Sequence, residues 1–183
     1  MTKANVSGAA SIVGVVLFVA IVCYLHAVQP GYDPAHQLMS ELALGVHGEV
    51  MLFAFLAVAF ALLALLIGLS LLGAQLLLKV VLAFAALCFI GAGVFPLGAT
   101  TEVHVALVAL AFIAGGLAMY LLPSYTTGFK TQFCRLTSWG LLTALALSVA
   151  LGNSVLPIGI GQRLAAIALL AWITAFGWKL IRS

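Results

Sequence analysis

Long apolar runs alternate along the chain with short polar breaks. Six runs are long enough to cross a hydrocarbon core, which takes about 20 helical residues for a thickness of roughly 30 Å. They fall near residues 8–28, 50–72, 76–95, 103–122, 136–151 and 162–181. The fifth is short and has room to extend back through Phe133. Strict apolar–polar alternation is absent, and backbone groups cannot go unpaired in lipid, so the runs are predicted to be helices. The connections are short except for the first external one and residues 124–135. Pro96, Pro123 and Pro157 each fall at a span end, where proline costs little. The pattern predicts an all-α polytopic membrane protein, a six-transmembrane-helix bundle forming a single domain over 1–183.

Composition supports this reading. Of the 183 residues, 66% are hydrophobic and 6% charged, too few charges for a water-facing surface. The net charge of +3 comes from scattered lysines and arginines and does not point to nucleic acid. Cys23, Cys88 and Cys134 show no paired spacing, which fits buried apolar residues better than a disulfide framework. The first run is too long for a signal-peptide core, so it is read as a retained span. Lys3, Lys79, Lys130, Arg135, Lys179 and Arg182 fall on one side of a six-span arrangement, and Arg163 alone on the other. The positive-inside rule then places both termini in the cytoplasm. All four acids (Asp33, Glu41, Glu49, Glu102) and all four histidines (His26, His36, His47, His104) fall at or near the opposite, outer end.

The main polar interruption is YDPAHQLMSELALGVHGE, residues 32–49. Asp33-Pro34 is a helix-start signature and Gly45 a plausible stop, so 34–44 is expected to form a short interfacial helix in the first external loop. On such a helix His36 and Ser40 share a face, with Gln37, Glu41 and Leu44 on a neighbouring stripe. Glu49 opens the second span and Glu102 the fourth, where negative charge suits the helix dipole. His104 lies about one turn inside the fourth span, where an ionisable group should face the bundle. Gly161-Gln162-Arg163 opens the sixth. Asn153 and Ser154 add polar groups at the outer end of the fifth.

These residues admit sharper and plainer readings. His36 and His104, completed by Asp33 or Glu41, are candidate zinc ligands with water in an open position, which would suit hydrolysis of a lipid amide or ester. The plainer reading is that each histidine bonds a carboxylate and fastens the loop, since no dense ligand motif such as HExxH is present. Ser40 and Glu41 are candidate catalytic hydroxyl and general base, or a solvated turn. No GxSxG elbow accompanies them. Arg163 is a candidate anion-binding residue or the counter-ion of the acidic cluster. Asp33, Glu49 and Glu102 complete the candidate ligand-binding set. His26 and His47 are weak candidates for haem ligation, because all four histidines lie toward one face. Two function classes follow. One is a pocket for a lipid headgroup or small polar ligand, with membrane lipids as partners. The other is an accessory subunit packed in a larger membrane-protein complex. A transporter lacks the mid-membrane charge and broken helices it would need.

YDPAHQLMSEL after the first span, GAGVFP at the end of the third, His104 soon after, and Gln162-Arg163 opening the last together resemble a bacterial six-helix membrane family, domain of unknown function 998. The resemblance covers nearly the whole chain. It implies six spans in a bacterial inner membrane and an outer cluster built from Asp33, His36, Ser40, Glu41 and His104. It brings no activity. More loosely, the chain is similar to the transmembrane metallohydrolases related to alkaline ceramidases, which hold zinc with Ser, Asp and His. It departs from them in having six spans rather than seven and no HxxxH pair.

Overall fold

The computed structural model describes every residue except Met1, Ala99, Thr127 and Asn153; the expected polar contribution of Asn153 therefore lies outside the described residues. Six helices follow one another: α1 Lys3–Val28, α2 Met51–Leu71, α3 Leu76–Val94, α4 Thr101–Tyr125, α5 Gln132–Leu151 and α6 Ile158–Ile181. All six are long and apolar enough to cross a membrane. Short connections make successive helices antiparallel neighbours. Each packs on the next, and α6 returns against α1 to close a ring. Helices α2 and α6 are the most buried and α5 the least. Between α4 and α6 contact is slight, so a gap is left there.

Small residues set the closest approach. A Cβ at Gly177 of α6 would meet the Gly8 carbonyl of α1 at 3.0 Å, so glycine lets these two backbones touch. Across the bundle, Trp172 of α6 donates to Ser138 Oγ of α5 (2.8 Å), which donates in turn to the Met119 carbonyl of α4 (2.7 Å). Trp172 and Ser138 are fully buried. In lipid, where helices gain nothing from excluding water, such packing and interhelical hydrogen bonds hold a bundle together.

Capping chemistry moves the helix ends away from the hydropathy boundaries. Helix α1 begins five residues early because Thr2 and Asn5 form a reciprocal capping box. The Asn5 amide also donates to the Leu180 and Ile181 carbonyls (3.1 and 2.9 Å), joining the two terminal segments. Helix α5 starts at Gln132, capped by Thr131. Helix α6 starts directly after Pro157, four residues ahead of the expected position. Gln162 and Arg163 therefore lie in its second turn rather than opening it. Pro123 falls in the last turn of α4.

The expected interfacial helix over 34–44 does not form as one piece. A turn covers Asp33–Gln37, closed by Gln37 N–H on the Asp33 carbonyl (2.9 Å). Leu38 is extended, and a 3-10 helix runs over Met39–Leu44. Distant groups claim the backbone that a continuous helix would use: Arg163 takes the Gln37 carbonyl and Gln162 the Met39 N–H. His36 and Ser40 therefore do not share a face. The His36 side chain is 70% exposed, whereas Ser40 is 4% exposed.

Candidate functional site

At the end of the bundle opposite the termini, residues 29–50 lie over the helix ends and are fastened by a few polar side chains. Arg163 is the main one. One of its terminal nitrogens donates to the Gln37 carbonyl (3.0 Å) and to the Gly159 carbonyl (2.9 Å). The other reaches Tyr32 Oη (2.6 Å) and His26 Nε2 (3.1 Å). Tyr32 passes the bond on to the Leu38 carbonyl (2.7 Å), and the guanidinium lies 5.6 Å from its ring centre. Burial raises the Tyr32 phenol above its usual range, opposed by the Arg163 hydrogen bond and charge. His26 Nδ1 donates to the Val22 carbonyl (2.6 Å), so Nε2 is left to accept from Arg163. Both ring nitrogens are thus occupied, and His26 offers neither to a haem.

No carboxylate lies within ion-pair distance of Arg163 among the described residues. Neutral acceptors surround it instead, which corrects the expected counter-ion role. Each nearby acid has other work. Asp33 accepts from the Ala35 N–H (2.8 Å) and pairs with His36 Nδ1 (2.7 Å). The His36 hydrogen bond, followed by that from Ala35, holds its carboxyl below the usual range. Glu41 accepts from the Leu38 N–H (2.8 Å) and the Gln37 amide (3.2 Å), so it caps the 3-10 helix and does not bond Ser40. Glu49 is exposed, 3.8 Å from His47 Nδ1. Glu102 is exposed in the first turn of α4. These four acids do not converge with Arg163 into one charged pocket.

His104 is buried elsewhere. Its Nδ1 donates to the Ala92 and Phe95 carbonyls (2.8 and 3.0 Å), closing the C-terminus of α3. Nε2 has no partner among the described residues, and the ring packs edge-on against Phe55. His104, Glu49, Met51 and Phe55 line a hollow of about 470 Å³ between the ends of α2, α3 and α4. His36 is held at the surface by Asp33, while His104 is committed to α3. Among the described residues no group of three or more His, Cys, Asp or Glu side chains could hold a metal. The expected zinc set of His36, His104 and Asp33 is therefore not assembled.

Two further volumes meet below the cap. The gap between α4 and α6, floored by α5, is a groove of about 820 Å³ with almost entirely apolar walls. Along α5 it runs from Leu142 to Gly152, about 15 Å at the helical rise. Beside it, an internal cavity of about 40 Å³ is lined by apolar side chains together with Ser40 and Gln162. Val108, Phe112 and Gln162 belong to both walls. Gln162 Oε1 accepts from the Met39 N–H (2.6 Å), so its amide nitrogen is the end left over.

Sequence reasoning singled out Arg163 but not Tyr32 and His26 as its hydrogen-bond partners, nor Gln162 as the side chain that holds Met39. The available signal was polar side chains within or directly beside apolar spans, which seldom face lipid without a reason. Comparison with curated proteins and with solved structures finds no match. The profile of one family matches residues 12–179, nearly the whole chain, and the protein belongs to that family, described as Protein of unknown function (DUF998).

Proposed function

We propose that this protein binds a membrane lipid, with a hydrocarbon chain in the α4–α5–α6 groove and the headgroup at the capped end. One observation carries the reading: an apolar groove open at membrane depth, running up to the polar loop. Its length of about 15 Å is half of a roughly 30 Å hydrocarbon core, the reach of one leaflet. In that setting the available solvent is hydrocarbon, so an acyl chain fills the groove without desolvating anything. In this reading the termini lie in the cytoplasm of a bacterial cell and the capped end, hence the bound lipid, in the outer leaflet, which the one-sided lysines and arginines support. The reading is one of binding, because Ser40 hydrogen-bonds no base and Glu41 is committed to the loop backbone.

Ala146 lines the groove on α5 and is exposed. Ala146→Phe fills the volume without crowding the core. Native mass spectrometry of protein extracted in mild detergent should find bound lipid on the wild type and lose it in the variant, with thermal stability kept. Equal lipid occupancy in the two would refute the reading.

A second reading, an accessory subunit in a larger membrane complex, is favoured by α5. This helix is the least buried and exposes Phe133, Leu136, Leu147 and Val149. It requires a stoichiometric partner that co-purifies in mild detergent and is released by polar substitutions on that face.

A further inference from the structure

The internal cavity holds two polar groups with spare hydrogen-bonding capacity. Ser40 is 4% exposed, and its hydroxyl makes no hydrogen bond to any described residue. Gln162 offers an amide nitrogen that is likewise unbonded among the described residues, its oxygen being held by the Met39 N–H. Among the described residues these are the two polar side chains in a wall otherwise made of Phe, Met, Val, Leu and Ala. Each has a donor to spare at the surface of an otherwise apolar cavity, so the pair is suited to something that accepts hydrogen bonds. The opening is small. About 40 Å³ exceeds the roughly 10–15 Å³ that a single water needs, yet is far too little for a headgroup.

Depth narrows the ligand further. With 24 residues, α6 is about 36 Å long and overhangs a hydrocarbon core of roughly 30 Å by a few ångströms at each end. Gln162 lies about 6 Å along it from Ile158, near the boundary between hydrocarbon and headgroups. The ester carbonyls of a diacyl lipid occupy this level. A carbonyl oxygen has two lone pairs, one for each donor.

We infer that the Ser40 hydroxyl and the Gln162 amide nitrogen bind the ester carbonyl oxygen of a lipid whose chain occupies the α4–α5–α6 groove, making the site selective for ester-linked over ether-linked lipid. This rests on the lipid-binding reading above and adds a chemical requirement to it. An ether analogue keeps the headgroup and chains but lacks the acceptor.

The test is competition between diester and diether phosphatidylglycerol of matched chains, offered to the full-length protein in detergent and read by native mass spectrometry. The wild type should prefer the diester by about thirtyfold, the worth of two neutral hydrogen bonds. Ser40→Ala should lower that preference while leaving diether binding unchanged. Equal binding of the two lipids by the wild type overturns the inference while leaving the lipid-binding reading intact. So does a preference that survives in a folded Ser40→Ala variant. Retention of neither lipid overturns both. The wild-type comparison decides the matter even if the variant does not fold.

Discussion

Arg163→Ala tests whether the loop over the helix ends is held by one side chain. The substitution removes three long-range hydrogen bonds, to the Gln37 carbonyl, Tyr32 Oη and His26 Nε2. The fourth bond, to Gly159, is local to α6 and joins nothing distant. At about 1 kcal/mol net for each bond in a half-buried setting, the loss comes to roughly 3 kcal/mol. For a chain of this length that lowers the apparent melting temperature by on the order of 10 °C. The loss should be local as well as global. Residues 29–47 should become protease-sensitive, and their amide protons should exchange faster, before α2 or α6 changes. Arg163→Lys should recover only part of the effect, because an ammonium cannot span the same acceptors as a planar guanidinium. If Arg163→Ala keeps both the wild-type melting temperature and a protected loop, the clamp is not what holds the cap.

Trp172→Phe removes the indole donor to Ser138 while keeping an aromatic ring between α5 and α6. It should cost about 1–2 kcal/mol, read as a lower thermal unfolding temperature in detergent; a variant as stable as the wild type would refute the bridge. Asp33 gives a signed pH dependence. Its carboxyl is held below the ordinary 3.8 by His36 and then Ala35, so its contribution to the loop is full at neutral pH and fades only as pH falls through that depressed value. Protease cleavage of the loop should therefore rise at strongly acidic pH in the wild type, and Asp33→Asn should remove that Asp33-dependent step.

Hydropathy carried the six helices because each is a one-dimensional signal: a length and an apolar content that lipid demands. It misplaced their ends because capping is local chemistry that a hydropathy average smooths away. Thr2 and Asn5 extend α1, and Pro157 starts α6 early. The loop was misread for a different reason. Asp33-Pro34 and Gly45 are sound helix signals, yet Arg163 and Gln162, over 120 residues away, compete for the backbone between them. The zinc proposal failed in the same way. His36 and His104 are each polar and toward the same end, but a shared end is not a shared site. One bonds Asp33 in solvent, and the other closes α3. Sequence proximity to a membrane face gives depth and says nothing about bearing around the ring.

Gln162 and Arg163 are consecutive residues, about 100° apart around α6 at 3.6 residues per turn. One reaches the Met39 N–H and the other the Gln37 carbonyl, so two neighbouring side chains hold two loop residues on either side of Leu38. That fixes the register of the loop against the helix. Ser40 follows directly, and it is turned inward into the cavity that Gln162 also lines. A loop slipped by one residue would present Met39 or Glu41 there instead, a thioether or a carboxylate in place of a hydroxyl. Glycine at 159 makes the seating possible, since a Cβ there would come within 2.5 Å of the Gln37 and Pro34 carbonyls. The clamp and the proposed lipid site are therefore coupled through geometry, though they share only the α6 turn that bears both. Loosening Arg163 should lower the preference for ester-linked lipid even though Arg163 lines neither the groove nor the internal cavity. That loss should track loop protection across a series of Arg163 variants. Lipid preference that stays constant while the loop opens would show that Ser40 is placed by something other than this register.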